Sequence, residues 1–191
     1  MPPYPPPCLV IITGLPCSGK TVLAERIAVQ VRLPLITKDG IKERLFDSLG
    51  WSDRAWSKKL GGATYELLFY FMEQLLAAGQ SLIVESNFYP AFHLERFLAI
   101  QQRAPYRALQ IQCVAEGEVL VRRFRQRWER GERHPGHVDP ETYTELDATL
   151  RKGKQPPLEV GGAYLEVDTN DFALIDYERI FRFLSEIFPH S

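Results

Sequence analysis

Residues 8–13, Cys-Leu-Val-Ile-Ile-Thr, form an apolar run that leads without interruption into Gly14-Leu15-Pro16-Cys17-Ser18-Gly19-Lys20-Thr21. A short run rich in β-branched residues, with no polar alternation, is the pattern of a strand buried on both faces. Two glycines flanking four residues, then Lys and Thr, make a phosphate-binding loop when a strand precedes and a helix follows. The glycines let the backbone curl so that successive amides point inward, with Leu15, Pro16, Cys17 and Ser18 supplying the links between them. The helix opening near Gly19 adds the partial positive charge of its first turn. In such a loop Lys20 reaches the β- and γ-phosphates and the Thr21 hydroxyl ligates Mg²⁺. The expected ligands are ATP and Mg²⁺, bound by residues 14–21.

The rest of the chain alternates between the two periodicities. Leu23, Ile27 and Val31 recur at helical spacing up to Pro34, and residues 33–37 read as a second strand. Residues 39–49 read as a helix with Asp39 at its start and Gly50 beyond its end. Further helices are expected over 60–78, 91–103, 118–130, 140–150 and 177–188, and further strands over 81–85, 108–115 and 163–167. Strands alternating with helices predict a parallel sheet covered on both faces. The expected fold is therefore α/β, a three-layer sandwich around about five parallel strands, spanning 8–191 as a single domain. Residues 1–7 hold five prolines, cannot form a helix, and read as a disordered leader.

Composition narrows the partners. Of 191 residues 45% are hydrophobic, enough for a sizeable core, and the formal net charge of -1 gives no excess that would coat nucleic acid or a lipid surface. No stretch approaches the roughly 20 apolar residues of a membrane span. Three cysteines, Cys8, Cys17 and Cys113, form neither a disulfide framework nor a metal-ligand spacing. A cytoplasmic protein is expected.

A phosphate loop alone names the triphosphate and not the reaction. A guanine-nucleotide switch needs an Asn-Lys-x-Asp reader, which the chain lacks, and an ATPase motor an Asp-Glu pair closing a hydrophobic strand, also missing. A kinase needs a carboxylate near the γ-phosphate to accept a hydroxyl proton. Asp39 follows the second strand, at the carboxyl edge of the sheet where ligands bind, and Lys42 lies one helical turn on, on the same face. Glu85 ends a buried strand, placed either to hold a Mg²⁺-bound water or to accept from the acceptor hydroxyl, and Asn87 faces the same cleft. The 118–130 segment carries Arg122, Arg123, Arg125, Arg127 and Arg130, with Arg133 beyond. Arg123, Arg127 and Arg130 fall on one face. His134 and His137 offer two metal ligands at most, too few for a site.

The loop at Gly14–Thr21, the Asp39 and Lys42 pair, and Glu85-Ser86-Asn87-Phe88 after a buried strand resemble the small P-loop kinases of the AAA-33 type. That group includes chloramphenicol phosphotransferase, zeta toxin and polynucleotide 5′-kinase. The resemblance runs from Leu9 to about Asp168. It implies that Asp39 is the catalytic base and that a lid over about 116–138 closes on ATP. In that lid Arg123 and Arg127 would balance charge on the transferred group, with Arg133 as a mobile third member. Polynucleotide kinases carry Arg three residues after the base, where this chain has Lys42, and Lys cannot supply a bidentate fork. Tyr164-Leu165-Glu166-Val167-Asp168-Thr169 resembles the last strand of these kinases, whose following segment borders the adenine.

The expected activity is transfer of the γ-phosphate to a hydroxyl of a small molecule or nucleotide. The helices between Asp39 and Ala78, including the Trp51–Trp56 loop, are expected to form the acceptor pocket. Stacking of Trp51, Trp56 and Trp128 on bases would instead serve a polynucleotide, which the slightly negative net charge disfavours. A regulatory ATP-binding protein with slow hydrolysis is the alternative from a different class.

Overall fold

In the computed structural model, which describes residues 5–185, five parallel strands carry the fold in the order β2-β3-β1-β4-β5. They are β1 (Cys8–Gly14), β2 (Leu35–Thr37), β3 (Leu82–Glu85), β4 (Arg107–Val114) and β5 (Ala163–Asp168). The chain leaves β1, crosses to the far edge at β2, returns through β3 beside β1, and continues on the other side through β4 and β5. Strand β1 is therefore central, pairing Ile12 with Glu85 of β3 and with Ile111 of β4. It is the point where the connections diverge, and in an open parallel sheet the crevice at the carboxyl ends lies there.

The pleat of β1 explains the two covered faces. Leu9 and Ile11 point to one side, into a core built with Leu68, Phe69 and Met72 of α3 (Arg54–Ala77) and Phe97 and Ile100 of α4 (Pro90–Arg103). Val10 and Ile12 point to the other, against Leu23 and Ile27 of α1 (Lys20–Val31) and Ile180 and Leu184 of α7 (Tyr177–Ser185). With apolar cover on both sides, β1 needs no polar face, which is why its sequence shows no alternation. A third cluster joins Leu15 of the phosphate loop to Leu120, Val121 and Phe124 of α5 (Gly117–Glu129) and Leu150 of α6 (Asp139–Leu150). This is the expected three-layer α/β sandwich.

Two boundaries differ from the sequence reading. Helix α3 starts at Arg54, because the Asp53 side chain accepts from the Trp56 amide at 2.8 Å and caps it. The apolar spacing that marked its start begins only at Leu60, since its first turns face a polar cleft. Pro7, assigned to a disordered leader, accepts from the Arg107 amide at 2.9 Å and so extends the sheet pairing. The rest of that leader up to Tyr4, and the last residues of the helix read to Phe188, lie outside the described residues.

Candidate active site

The phosphate loop has the curled form its sequence predicts. Gly14 and Gly19 both sit at positive φ, at 148° and 79°, a region open to glycine and strained for other residues. A Cβ on Gly14 would come within 2.5 Å of the Cys113 carbonyl, and one on Gly19 would run into the Phe172 ring. Cys17 also has positive φ, at 66°. The Ser18 hydroxyl is buried with no hydrogen-bond partner among the described residues. Lys20 Nζ folds back to the Leu15 carbonyl at 3.4 Å and lies 3.8 Å from Glu85 Oε1.

Glu85 is brought here by register, since its partner on β1, Ile12, stands two residues before the loop. The Thr21 hydroxyl donates to Glu85 Oε2 at 3.2 Å. Burial pushes the Glu85 carboxyl up, against the pull of Lys20. A hydroxyl and a buried carboxylate this close form a hard oxygen donor set, which fits Mg²⁺ when phosphate oxygens complete the shell. Among the described residues no three His, Cys, Asp or Glu side chains gather as a protein-only metal cage. His134 stacks on Phe46 with ring centroids 5.1 Å apart. His137 Nε2 lies 2.9 Å from Glu43 Oε1, and burial followed by Arg133 lowers its pKa to about 2, so the neutral ring donates that bond.

Asp39 stands in the first turn of α2 (Lys38–Leu49), and Thr37 both ends β2 and caps this helix by accepting from the Gly40 amide at 3.0 Å. Lys38 Nζ lies 3.0 Å from Asp39 Oδ1, and Arg133 pairs with Asp39 Oδ2. Burial alone would raise the Asp39 carboxyl, but Arg133 and then Lys38 outweigh it and hold it well below the usual carboxylate range. Arg133, expected to be mobile, is tied on both sides: its second nitrogen donates to Asp139 Oδ1 at 2.9 Å. Two carboxylates around one guanidinium leave it little freedom.

Two cavities meet at this point. The smaller, about 450 Å³, lies along the phosphate loop and takes in Cys17, Thr21, Arg123, Arg127, Arg130 and Phe172. The larger, about 970 Å³, opens between α2, α3 and α6 and takes in Lys42, Ser57, Tyr65, Asn87 and Arg133. Lys20, Asp39 and Arg127 line both. Arg127 has Nε and Nη2 buried without a hydrogen bond among the described residues, the Asp139 carboxylate being 3.9 Å from Nε. Buried donors without acceptors are costly and mark a place for an anion. Arg123 is anchored through one nitrogen: Nη2 donates to the Thr169 and Asn170 carbonyls at 2.8 and 2.9 Å and the guanidinium lies 3.9 Å over Phe172, while Nη1 is buried without a partner among the described residues.

The family profile described as an AAA domain (AAA_33) matches residues 9–152. The chain belongs to this family of small P-loop kinases. Its structure is similar to that of a candidate kinase from Chloroflexus aurantiacus, with 42% identity, a TM-score of 0.90, and 95% of this chain and 98% of that chain covered. The fold is shared with the APS kinase CysC of Mycobacterium tuberculosis in complex with AMPPNP and APS, at 17% identity and TM-score 0.55, covering 95% and 99% of the two chains. It is also shared with a gluconokinase of Sinorhizobium meliloti, at 16% identity and TM-score 0.52, covering 94% and 92%. No curated protein matches the chain.

In this chain the structure gathers Pro16, Cys17, Gly19, Lys20 and Thr21 of the loop with Asp39, Glu85, Arg123, Arg127 and Arg133 around the joined cavities, and puts Lys42 and Asn87 on the wall of the larger one. The aromatic loop is a correction. Trp51 packs edge-on to His134, and Trp56 lies inside α3, its ring nitrogen donating to the Gly50 carbonyl at 3.0 Å. Neither lines the large cavity, and Trp128 lies beside another hollow near Pro135. What lines it from α3 instead is Arg54, Ser57, Lys58, Gly61, Gly62 and Tyr65. Their spacing of three, four and seven is one helical face, visible had α3 been started at its Asp53 cap. Glycine costs about 1 kcal/mol against alanine inside a helix. At Gly62 an added Cβ would meet only open space, so the pair keeps the cleft wide. Glu145 of α6 closes the rim, reaching Arg54 Nη2 and Lys58 Nζ at 2.7 Å each.

Proposed function

We propose that this protein moves the γ-phosphoryl group of ATP to a hydroxyl of a small-molecule or nucleotide acceptor. The observation that carries the reading is the wall shared by the two cavities. Asp39, Lys20 and Arg127 face both the phosphate loop and the larger cleft, which is where a group passing from one ligand to another would travel. The likeness to the Chloroflexus candidate kinase supports it.

In this mechanism the amides of residues 14–19 and Lys20 grip the triphosphate, and Phe172 with Arg123 flanks the nucleotide. The acceptor oxygen attacks the γ-phosphorus as the bond to the β-bridging oxygen breaks, its proton passes to Asp39, and ADP leaves. With its pKa held low by Arg133 and Lys38, Asp39 acts first by orienting the hydroxyl and takes the proton late, as suits a loose transition state. Arg127 turns its unpartnered nitrogens to the transferred group. Residues 116–138 form the lid that excludes water. Thr21 and Glu85 would hold Mg²⁺, which when bound neutralises phosphate charge. No helix among the described residues is long and apolar enough to cross a membrane, and three free cysteines suit a cytoplasmic setting.

The test is transfer of label from γ-labelled ATP to a panel of sugars, nucleosides, nucleotides, aminoglycosides and 5′-hydroxyl oligonucleotides. Label in an organic product supports the kinase. Label arriving only in free phosphate supports the slow hydrolase of the alternative reading, and label in the oligonucleotide alone supports the polynucleotide kinase.

A further inference from the structure

We propose that the acceptor carries an oxyanion, a phosphate, sulfate or carboxylate, and that Lys42 with Arg54 and Lys58 forms the subsite that binds it. The inference rests on the kinase reading above and names the chemistry of its second substrate.

The argument starts from a cation with no counter-charge. Lys42 is 4% exposed, and buried lysines are ordinarily paired. Its Nζ donates to the Ser57 hydroxyl at 2.9 Å and lies 5.1 Å over the Phe46 ring. No ion pair reaches it among the described residues, unlike its neighbours: Lys38 and Arg133 pair with Asp39, Arg133 also with Asp139, and Arg54 and Lys58 share Glu145. Charge is therefore unbalanced on the acceptor side of the cleft. Seven Lys and Arg side chains line the larger cavity against three carboxylates, Asp39, Glu85 and Glu145. The cleft wall is held open above Lys42, whose Nζ stands 3.8 Å from where a Cβ on Gly61 would lie. An oxyanion there would take the free Lys42 donors and draw Arg54 or Lys58 from Glu145. Burial, then the nearby Lys38 charge, lowers the Lys42 pKa to about 7, with Asp39 opposing, as expected of a site waiting for an anion.

Spacing limits the ligand. Lys42 lies one turn from Asp39 on the same helix, so their Cβ atoms are about 5–6 Å apart. The anionic group therefore sits a few bonds from the hydroxyl that Asp39 would orient, as in a phosphorylated, sulfated or carboxylated hydroxy compound.

The test saturates the phosphate loop of the full chain with Mg·AMPPNP, then titrates inorganic phosphate, sulfate and acetate separately by calorimetry and by thermal shift. Saturable binding of at least one ion is expected, with the ranking naming the oxyanion. Lys42→Met is expected to weaken it by about tenfold or more. Glu145→Gln, at an exposed position, is expected to tighten it about threefold by freeing Arg54 and Lys58. No ion binding, or binding unchanged in both variants, overturns the proposal. If Lys42→Met does not fold, Glu145→Gln decides alone. AMPPNP failing to bind would instead strike the kinase reading, so the two failures are distinct.

Discussion

The two halves of the cleft are built by opposite means. The triphosphate side is one continuous stretch, residues 14–21, whose grip comes from backbone amides and two glycines that tolerate no Cβ. The proposed acceptor side is assembled from α2, α3, β3 and α6, and its grip would come from side chains as far apart in sequence as Lys42 and Glu145. Backbone recognition fixes a ligand common to a whole family, whereas side chains on helix faces are free to differ.

Four substitutions or conditions press on that contrast, in falling order of effect. Asp39→Asn, at the junction, is expected to lower transfer about 10³-fold while nucleotide-induced stabilisation persists; equal activity in single-turnover assays would remove Asp39 as the base. Lys20→Ala, in the stretch that would grip the triphosphate, is expected to weaken ATP binding about 100-fold. Its check is the loss of the ATP-induced rise in Tm, and an unchanged rise would break the division of labour. Arg123→Ala, which removes the cation stacked on Phe172, is expected to raise KM for ATP about tenfold with a smaller change in kcat, seen in steady-state kinetics.

The smallest effect concerns the acceptor side and pH. Lys42 has an ordinary pKa of 10.5 when unfolded and about 7 when folded. Between those values the unfolded chain holds the extra proton, so stability rises with pH through this window and is lowest below about pH 7. Burial is the largest cause of the shift; Lys38 on its own helix, Arg133 and Arg54 on α3 add to it, and Asp39 opposes it. The gain in Tm from pH 6.5 to 9 should be smaller in Lys42→Met than in the wild type; equal gains would show that Lys42 keeps its charge in the folded state.

How much of this was legible in the sequence follows the same division. The phosphate loop could be read because its determinants are local: a buried strand, glycines at fixed spacing, a helix behind them. Asp39 and Glu85 could be placed because Glu85 closes a short strand of a parallel sheet and Asp39 stands two residues beyond the end of another, and the carboxyl edge is common to all strands. Ser57, the partner of Lys42, and Glu145, the partner of Arg54 and Lys58, could not, because they meet those cations through helix packing. The α3 face was hidden for a second reason. Its first turns point polar residues and glycines into a cavity, so apolar periodicity is silent where the helix is most functional. Arg133 shows a third limit: the resemblance implied a mobile lid member, while the two aspartates that hold it come from α2 and α6.

Thr37 is at once the last residue of β2 and the cap of α2, with no connector between them. The carboxylate at position 39 therefore hangs from the sheet with no slack, like the fixed jaw of a vise. Whatever travel is needed to grip two substrates and release two products has to come from the opposite jaw.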